Sequence, residues 1–461
     1  MDMDQDDFDL EGYSANYNGY GKIHRLMHIV RTAPNGSRLE LEALRLLVDA
    51  LKQTYNTASY TDATTMIGGR LGPKYDFDSA WVQQTDSRAA SKSEALEREL
   101  NGFKTNLMKE AIRVGQTDLA DHFYSRGDLQ SAFKCYLRTR DYCSTSKHIL
   151  SMCLNVVRIN IALGNYINVS NYVQKAEATP DIAKDPVLAS KFRCAGALAL
   201  IDSKKYQLAA RKLTEVAAEM GNQFSEAMAA QDVAIYGGLC ALASFDRSEL
   251  RRHVIDNMAF HEYLELCPEV REVVADFYGA RYSACLQRLA RLVPHLRLDA
   301  ILGPHINHLH DAIRSKAIVQ YTRPFQSVHL PTMAAAFGTD STVLERELAY
   351  LIQKGDVAAR IDSHNKVLYA RHANQRAATF SAVLKAGQEY LDNTSAALLR
   401  ASLLKHDLVQ RHGAAGFTST NTISGTHPNI PPANDQGPAF RFFPPGPAPP
   451  LATGNGQMET L

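Results

Sequence analysis

Residues 332–370 read TMAAAFGTDSTVLERELAYLIQKGDVAARIDSHNKVLYA, and the order of signals in them decides how this part of the chain folds. A short apolar helix, Thr332 to Phe337, runs into the turn pair Gly338-Thr339. A second helix, Ser341 to Gln353, stops at Lys354-Gly355-Asp356. Two extended runs follow, Ala358 to Asp362 and Lys366 to Ala370, separated by Ser363-His364-Asn365, polar residues whose short side chains favour turns. Helix, turn, helix, hairpin is the order of a winged helix.

Upstream, the chain is helical and repetitive. The turns Arg126-Gly127-Asp128-Leu129, Leu163-Gly164-Asn165-Tyr166, Ser203-Lys204-Lys205-Tyr206 and Ala280-Arg281-Tyr282 recur, with a degenerate Ser244-Phe245-Asp246 between the last two. Their spacing of about 35 to 42 residues is that of helix–turn–helix repeats of the tetratricopeptide (TPR) kind. One such hairpin cannot bury its own apolar stripe, so neighbours must stack. The expected result is a TPR-like solenoid presenting an extended surface, better suited to holding a protein than to turning over a small molecule. Ahead of the repeats, SKSEALERELNGFKTNLMKEAIRVG (91–115) reads as an exposed charged helix, and Leu39, Leu41, Leu44, Leu47, Val48 and Leu51 form one apolar stripe.

Downstream, a long helix is expected from Gln375 to about Gln410, in which Leu384, Leu391 and Leu398 stand seven apart, a seam suited to packing on other helices. The divisions that follow are a disordered acidic tail over 1–20, a helical N-terminal region and TPR-like repeats over 21–295, and a helical end with the winged helix over 296–374. A bundle helix over 375–411 and a disordered Pro/Gly-rich tail over 412–461 complete them. The class is mainly α. That last tail carries one aromatic cluster, Phe440-Arg441-Phe442-Phe443-Pro444.

Bulk properties narrow the function. Fifty Lys plus Arg against 49 Asp plus Glu leave no field to draw the 461-residue chain to nucleic acid or acidic lipid. Seven scattered cysteines, without a C-x-x-C pair, read as buried reduced thiols of an intracellular protein. The acidic start MDMDQDDFDLEG is not a signal peptide, and no apolar run reaches the roughly 20 residues that span a bilayer.

Helical repeats, winged helix and terminal helix, in that order, resemble the PCI family, whose members occur in the proteasome lid, the COP9 signalosome and translation initiation factor three. The strings RDYCSTSKHILSMCLNVVRI (140–159), YGGLCALASFDRSEL (236–250), IVQYTRPF (318–325), MAAAFGTD (333–340) and ARIDSHNKVLYAR (359–371) carry a closer resemblance, to the signalosome branch, over roughly residues 20 to 410. The lid relative has a Gly-Gly-Asp-Trp motif and a basic Asn-Arg stretch where this chain reads YVQKAEATPDIAKDPVLASKF (172–192); the lone tryptophan, Trp81, lies far upstream. A lid scaffold is therefore the alternative, and a PCI-type nucleic-acid adaptor a more distant one.

The resemblance implies a non-catalytic scaffold that supports removal of the ubiquitin-like protein Nedd8 from cullins. Its implied partners are other PCI subunits, the complex's zinc isopeptidase subunit and, through the complex, cullin–RING ubiquitin ligases. No cofactor, membrane or specific nucleic acid is implied, and the location is nucleus and cytoplasm.

The chemistry in the residues agrees. His308-Leu309-His310 has the H-x-H spacing of a zinc isopeptidase, but Tyr321 stands where the next ligand region would begin and no Ser-x-x-Asp follows. His261-Glu262 meets Glu265 rather than a second histidine, and phosphate loops, nucleophile elbows and dinucleotide fingerprints are missing. The second helix of the winged helix carries Glu345 and Glu347 beside Arg346, a poor surface for phosphates. Two assembly sites are expected instead: the open edge of the winged-helix sheet, with Arg360, Asp362, Lys366 and Tyr369 selecting the partner, and the Leu384, Leu391, Leu398 seam.

Overall fold

Four of the five repeat turns close the same way. In a computed structural model, which describes residues 8–371, 375–406 and 408, Gly127, Gly164, Lys204 and Ala280 all take the left-handed conformation, with φ of 85°, 70°, 58° and 58°. The next residue then donates its N–H to the carbonyl five back, Asp128 to Phe123 at 3.0 Å, Asn165 to Asn160 at 2.8 Å, Lys205 to Leu200 at 2.8 Å and Arg281 to Asp276 at 2.9 Å. These bonds satisfy carbonyls that a helix end leaves free. Leu129, Tyr166, Tyr206 and Tyr282 each open the next helix.

The fifth turn differs. Phe245 is extended and buried, and Asp246 and Glu249 form a reciprocal cap that leads into a single π-helical turn, Arg251–Ile255. Gly164 has open space where a Cβ would stand, so its role is purely conformational. Gly164→Ala is expected to cost about 1 kcal/mol and Ala280→Gly to gain up to about 1 kcal/mol, both read by chemical denaturation.

The helices are α1 (Leu10–Ala15), α2 (Gly19–Thr32), α3 (Arg38–Leu51), α4 (Thr57–Ile67), α5 (Ser79–Thr105), α6 (Lys109–Arg126), α7 (Leu129–Arg138), α8 (Ser146–Ala162), α9 (Tyr166–Glu177), α10 (Pro186–Asp202), α11 (Tyr206–Thr214), α12 (Ala230–Ser244), α13 (Arg247–Leu250), α14 (Met258–Glu265), α15 (Pro268–Tyr278), α16 (Tyr282–Arg297) and α17 (Ile306–Thr322). Consecutive helices from α5 to α12 pack on one another, as stacked hairpins must. α12 is apolar around most of its circumference and is buried on all sides, by α11, α14, α15 and α17.

The winged helix follows: β1 (Ser327–His329), α18 (Leu330–Phe337), α19 (Ser341–Lys354), β2 (Ala359–Asp362) and β3 (Val367–Ala370). The sheet is antiparallel in the order β1-β3-β2, with Ser327 opposite Tyr369 and Arg360 opposite Tyr369 on its other side. Phe337 of α18 is stacked on Tyr282 of α16 at 5.6 Å and meets Tyr321 of α17 edge-on at 5.4 Å, so an aromatic cluster joins the repeats to this module. α20 (Gln375–Lys405) belongs to a second compact unit.

Four expectations change. The stretch 1–20, expected as a tail, is built from Phe8 onward: Leu10 and Tyr17 are buried, and Asn16 and Asn18 bond Gln231 and Ser225. The charged helix over 91–115 is two helices, parted at Leu107, which has φ 52°. The segment after Pro294 breaks between α16 and α17, where Asp299 accepts the backbone N–H groups of Ile301 and Leu302. The winged helix has a third strand, β1. The aromatic cluster at 440–444 and the tail over 412–461 lie outside the described residues.

Candidate assembly surfaces

The four side chains expected at the sheet edge have separate duties. Asp362 is spent inside the wing turn, where its carboxylate accepts the N–H groups of His364 and Asn365 at 3.1 Å each and the Asn365 side chain at 2.9 Å. Lys366 takes a left-handed backbone at φ 55° and pairs its ammonium with Glu345 of α19 at 2.8 Å, tying the wing to the second helix. These hydrogen bonds hold the carboxyls of Asp362 and Glu345 below the usual carboxylate range.

Tyr369 is not an edge residue. β1 makes β3 the central strand, so the Tyr369 backbone has strands on both sides, and only its half-exposed ring is presented. Arg360, on the outer strand β2, does lie at the edge; its guanidinium stands 5.8 Å from the Tyr369 ring centre across the pair. Together Arg360 and Tyr369 form one face of the open side of the sheet.

Sequence reasoning overlooked a groove of about 930 Å³ between α19, α17 and the α12–α13 turn, lined among others by Arg346, Tyr350, His308, Ser315 and Asp246. Glu347 of α19, on the same groove, accepts a hydrogen bond from Arg314 of α17 at 3.0 Å. Lys316 closes its inner end by donating to the carbonyls of Leu242, at 3.0 Å, and Phe245, where α12 ends. Nothing in the local sequence distinguishes this lysine from a solvated one, because its partners lie about seventy residues away.

Burial outweighs the nearby carboxylates and pushes the Lys316 amine down to about 8. A lysine depressed in the folded state binds fewer protons there than in the unfolded chain between about pH 8 and its ordinary value of 10.5, so stability should rise over that interval. Denaturation at pH 7.5 and 9.5 checks this. The wild-type chain is expected to gain relative to Lys316→Met at the higher pH, and equal changes in both would contradict it.

The histidines weighed as metal ligands are engaged elsewhere: His308 packs against Tyr206 at 5.4 Å and His310 lies beside Asp311. Among the described residues no group of three His, Cys, Asp or Glu side chains is gathered to hold a metal, and no helix is long and apolar enough to cross a membrane.

α20 presents the seam. Leu384, Leu391 and Leu398 are 59%, 58% and 71% exposed, and Phe380, Val383, Tyr390 and Leu399 are exposed beside them. None of its described side chains is buried. A leucine every seventh residue is the spacing that helix–helix packing uses.

Comparison with known proteins gives this architecture its relatives. Residues 78–253 match the family described as 26S proteasome subunit RPN7, and residues 289–372 match the PCI domain. The COP9 signalosome complex subunit 1 of Arabidopsis thaliana is 50% identical over 399 residues, covering 87% of this chain and 90% of that protein. Subunit 1b of Drosophila melanogaster is 35% identical and covers 90% of each chain. The 26S proteasome non-ATPase regulatory subunit 6 of Caenorhabditis elegans is 24% identical over 65% of this chain and 75% of its own. At such identity over nearly the whole length, the chain belongs to the COP9 signalosome subunit 1 family, with a PCI domain at the end of its helical repeats.

Proposed function

We propose that this chain is a non-catalytic scaffold subunit of the COP9 signalosome, supporting the removal of Nedd8 from cullins within cullin–RING ubiquitin ligases. The observation that carries the reading is 50% identity to a signalosome subunit 1 across 87% of the chain. It is supported by a winged helix whose β2 edge is open and by a terminal helix whose leucines are uncovered. In this reading Arg360 and Tyr369 select a neighbouring PCI subunit at the sheet, while Asp362 and Lys366 keep the wing in shape. Leu384, Leu391 and Leu398 join a helical bundle with other subunits, among them the zinc isopeptidase. The repeats face the ligase, and the complex works in nucleus and cytoplasm.

Affinity purification of the tagged chain from its own cells, with mass spectrometry and a Nedd8–cullin cleavage assay on the eluate, tests this. Recovery with the other signalosome subunits and cleavage by the assembled complex, but not by the isolated chain, are expected. Recovery with proteasome subunits, or alone on RNA, would overturn the reading.

A further inference from the structure

The first helices form a core of their own. Leu10, Ile23, Leu26, Ile29, Leu44, Leu47 and their neighbours cluster separately from the core of the repeats, and among the described residues beyond Val82 only Leu298 joins them. What fastens these helices to the repeats is largely polar, beside the ring contacts of Tyr20 with Tyr124 and of Phe8 with His295. Arg25 of α2 is buried between two carboxylates, with Nη1 on Asp299 Oδ2 at 2.5 Å and Nη2 on Asp232 Oδ2 at 3.0 Å. Tyr17 donates to Asp232 at 2.6 Å and Tyr236 to Asp299 at 2.7 Å. Two acids face one guanidinium. The surplus charge is held by hydroxyls and backbone N–H groups, and burial with repulsion from Asp299 lifts the Asp232 carboxyl above its ordinary range.

At the other end the same helices stay joined to the start of the repeats through α5 and a bond from the Tyr55 N–H to the Ser125 carbonyl at 3.2 Å. Between the two ends, Gly21 lies so close to Glu226 that a Cβ on it would stand 1.8 Å from that carbonyl oxygen.

We propose that residues 8–67 are a strap, clipped at Arg25 onto Asp232 and Asp299 and able to release there as a folded body while remaining attached through α5. A latch made of an ion cluster, the Asn16–Gln231 and Asn18–Ser225 hydrogen bonds, one close backbone approach and a few ring contacts, rather than of continuous apolar packing, opens without melting what it joins. Its closure spans the repeats from α6 to the α16–α17 junction, so it sets how freely those helices bend. An undocked state exposes α12's first turn and residues 298–302.

Hydrogen–deuterium exchange on the full chain, comparing wild type with Arg25→Met and Gly21→Val, tests the strap. Arg25→Met leaves two buried carboxylates without their cation. Gly21→Val keeps every residue of the ion cluster and blocks docking by bulk alone. Both are expected to speed exchange on the order of tenfold or more over 225–233 and 298–302 while α3 and α8–α11 keep their protection. Loss of protection in α3, or of helix throughout, makes the cluster part of one cooperative core and overturns the proposal. Unchanged exchange at 225–233 and 298–302 in either variant also overturns it.

Discussion

Replacing Leu384, Leu391 and Leu398 together by Asp is expected to remove the chain from its assembly while leaving the repeats and the winged helix folded. The three leucines are exposed in the isolated chain, so the charges cost little there. In a bundle each leucine contributes roughly 1.5–3 kcal/mol on full burial, and each carboxylate must also be desolvated. The sum exceeds about 5 kcal/mol, more than a thousandfold in dissociation constant. Co-purification of the variant with its neighbours, beside its thermal unfolding alone, checks this. Normal incorporation would show that the seam serves something else.

The second large effect is expected at Phe337. Its ring is 3% exposed, stacks on Tyr282 with planes 7° apart and meets Tyr321 at 74°. Phe337→Ala removes the ring that α18 contributes to the cluster joining it to α16 and α17, and a deletion of this kind costs about 3–5 kcal/mol. Because the loss falls at the joint, calorimetry should resolve a lower-melting transition for the winged helix. Phe337→Leu, which refills most of the space, should recover more than half the loss. A single transition at the wild-type temperature would mean that the joint is held by other contacts.

The repeats were readable because their turns rest on local chemistry: Gly127 and Gly164 favour the left-handed conformation, and an apolar residue two places on starts the next helix. At Lys204 and Ala280 the same geometry survives without glycine, and there position within the repeat was the better guide. The winged helix was equally legible except for β1. Three residues after Pro324-Phe325-Gln326 carry too little pattern to read as a strand, and it is pairing with β3 that makes them one. That omission moved Tyr369 to the edge.

Residues 8–20 were illegible for a related reason. Acidic and glycine-bearing, they have weak helical tendency, and they are ordered because Leu10 is buried in the core of the first helices while Asn16 and Tyr17 find partners more than two hundred residues away. The leucine seam could be seen at once, since period alone defines it. The groove beside Lys316 could not, since it is made by three distant segments.

The separation of Arg25 from Asp299 by 274 residues also orders events during synthesis. At roughly 5–20 residues per second, the ribosome delivers Asp299 about 15 to 55 seconds after Arg25. For that interval the first helices must persist on their own leucine core, with Arg25 in water. The clip is therefore a late step of biogenesis, closed only when most of the repeats have emerged.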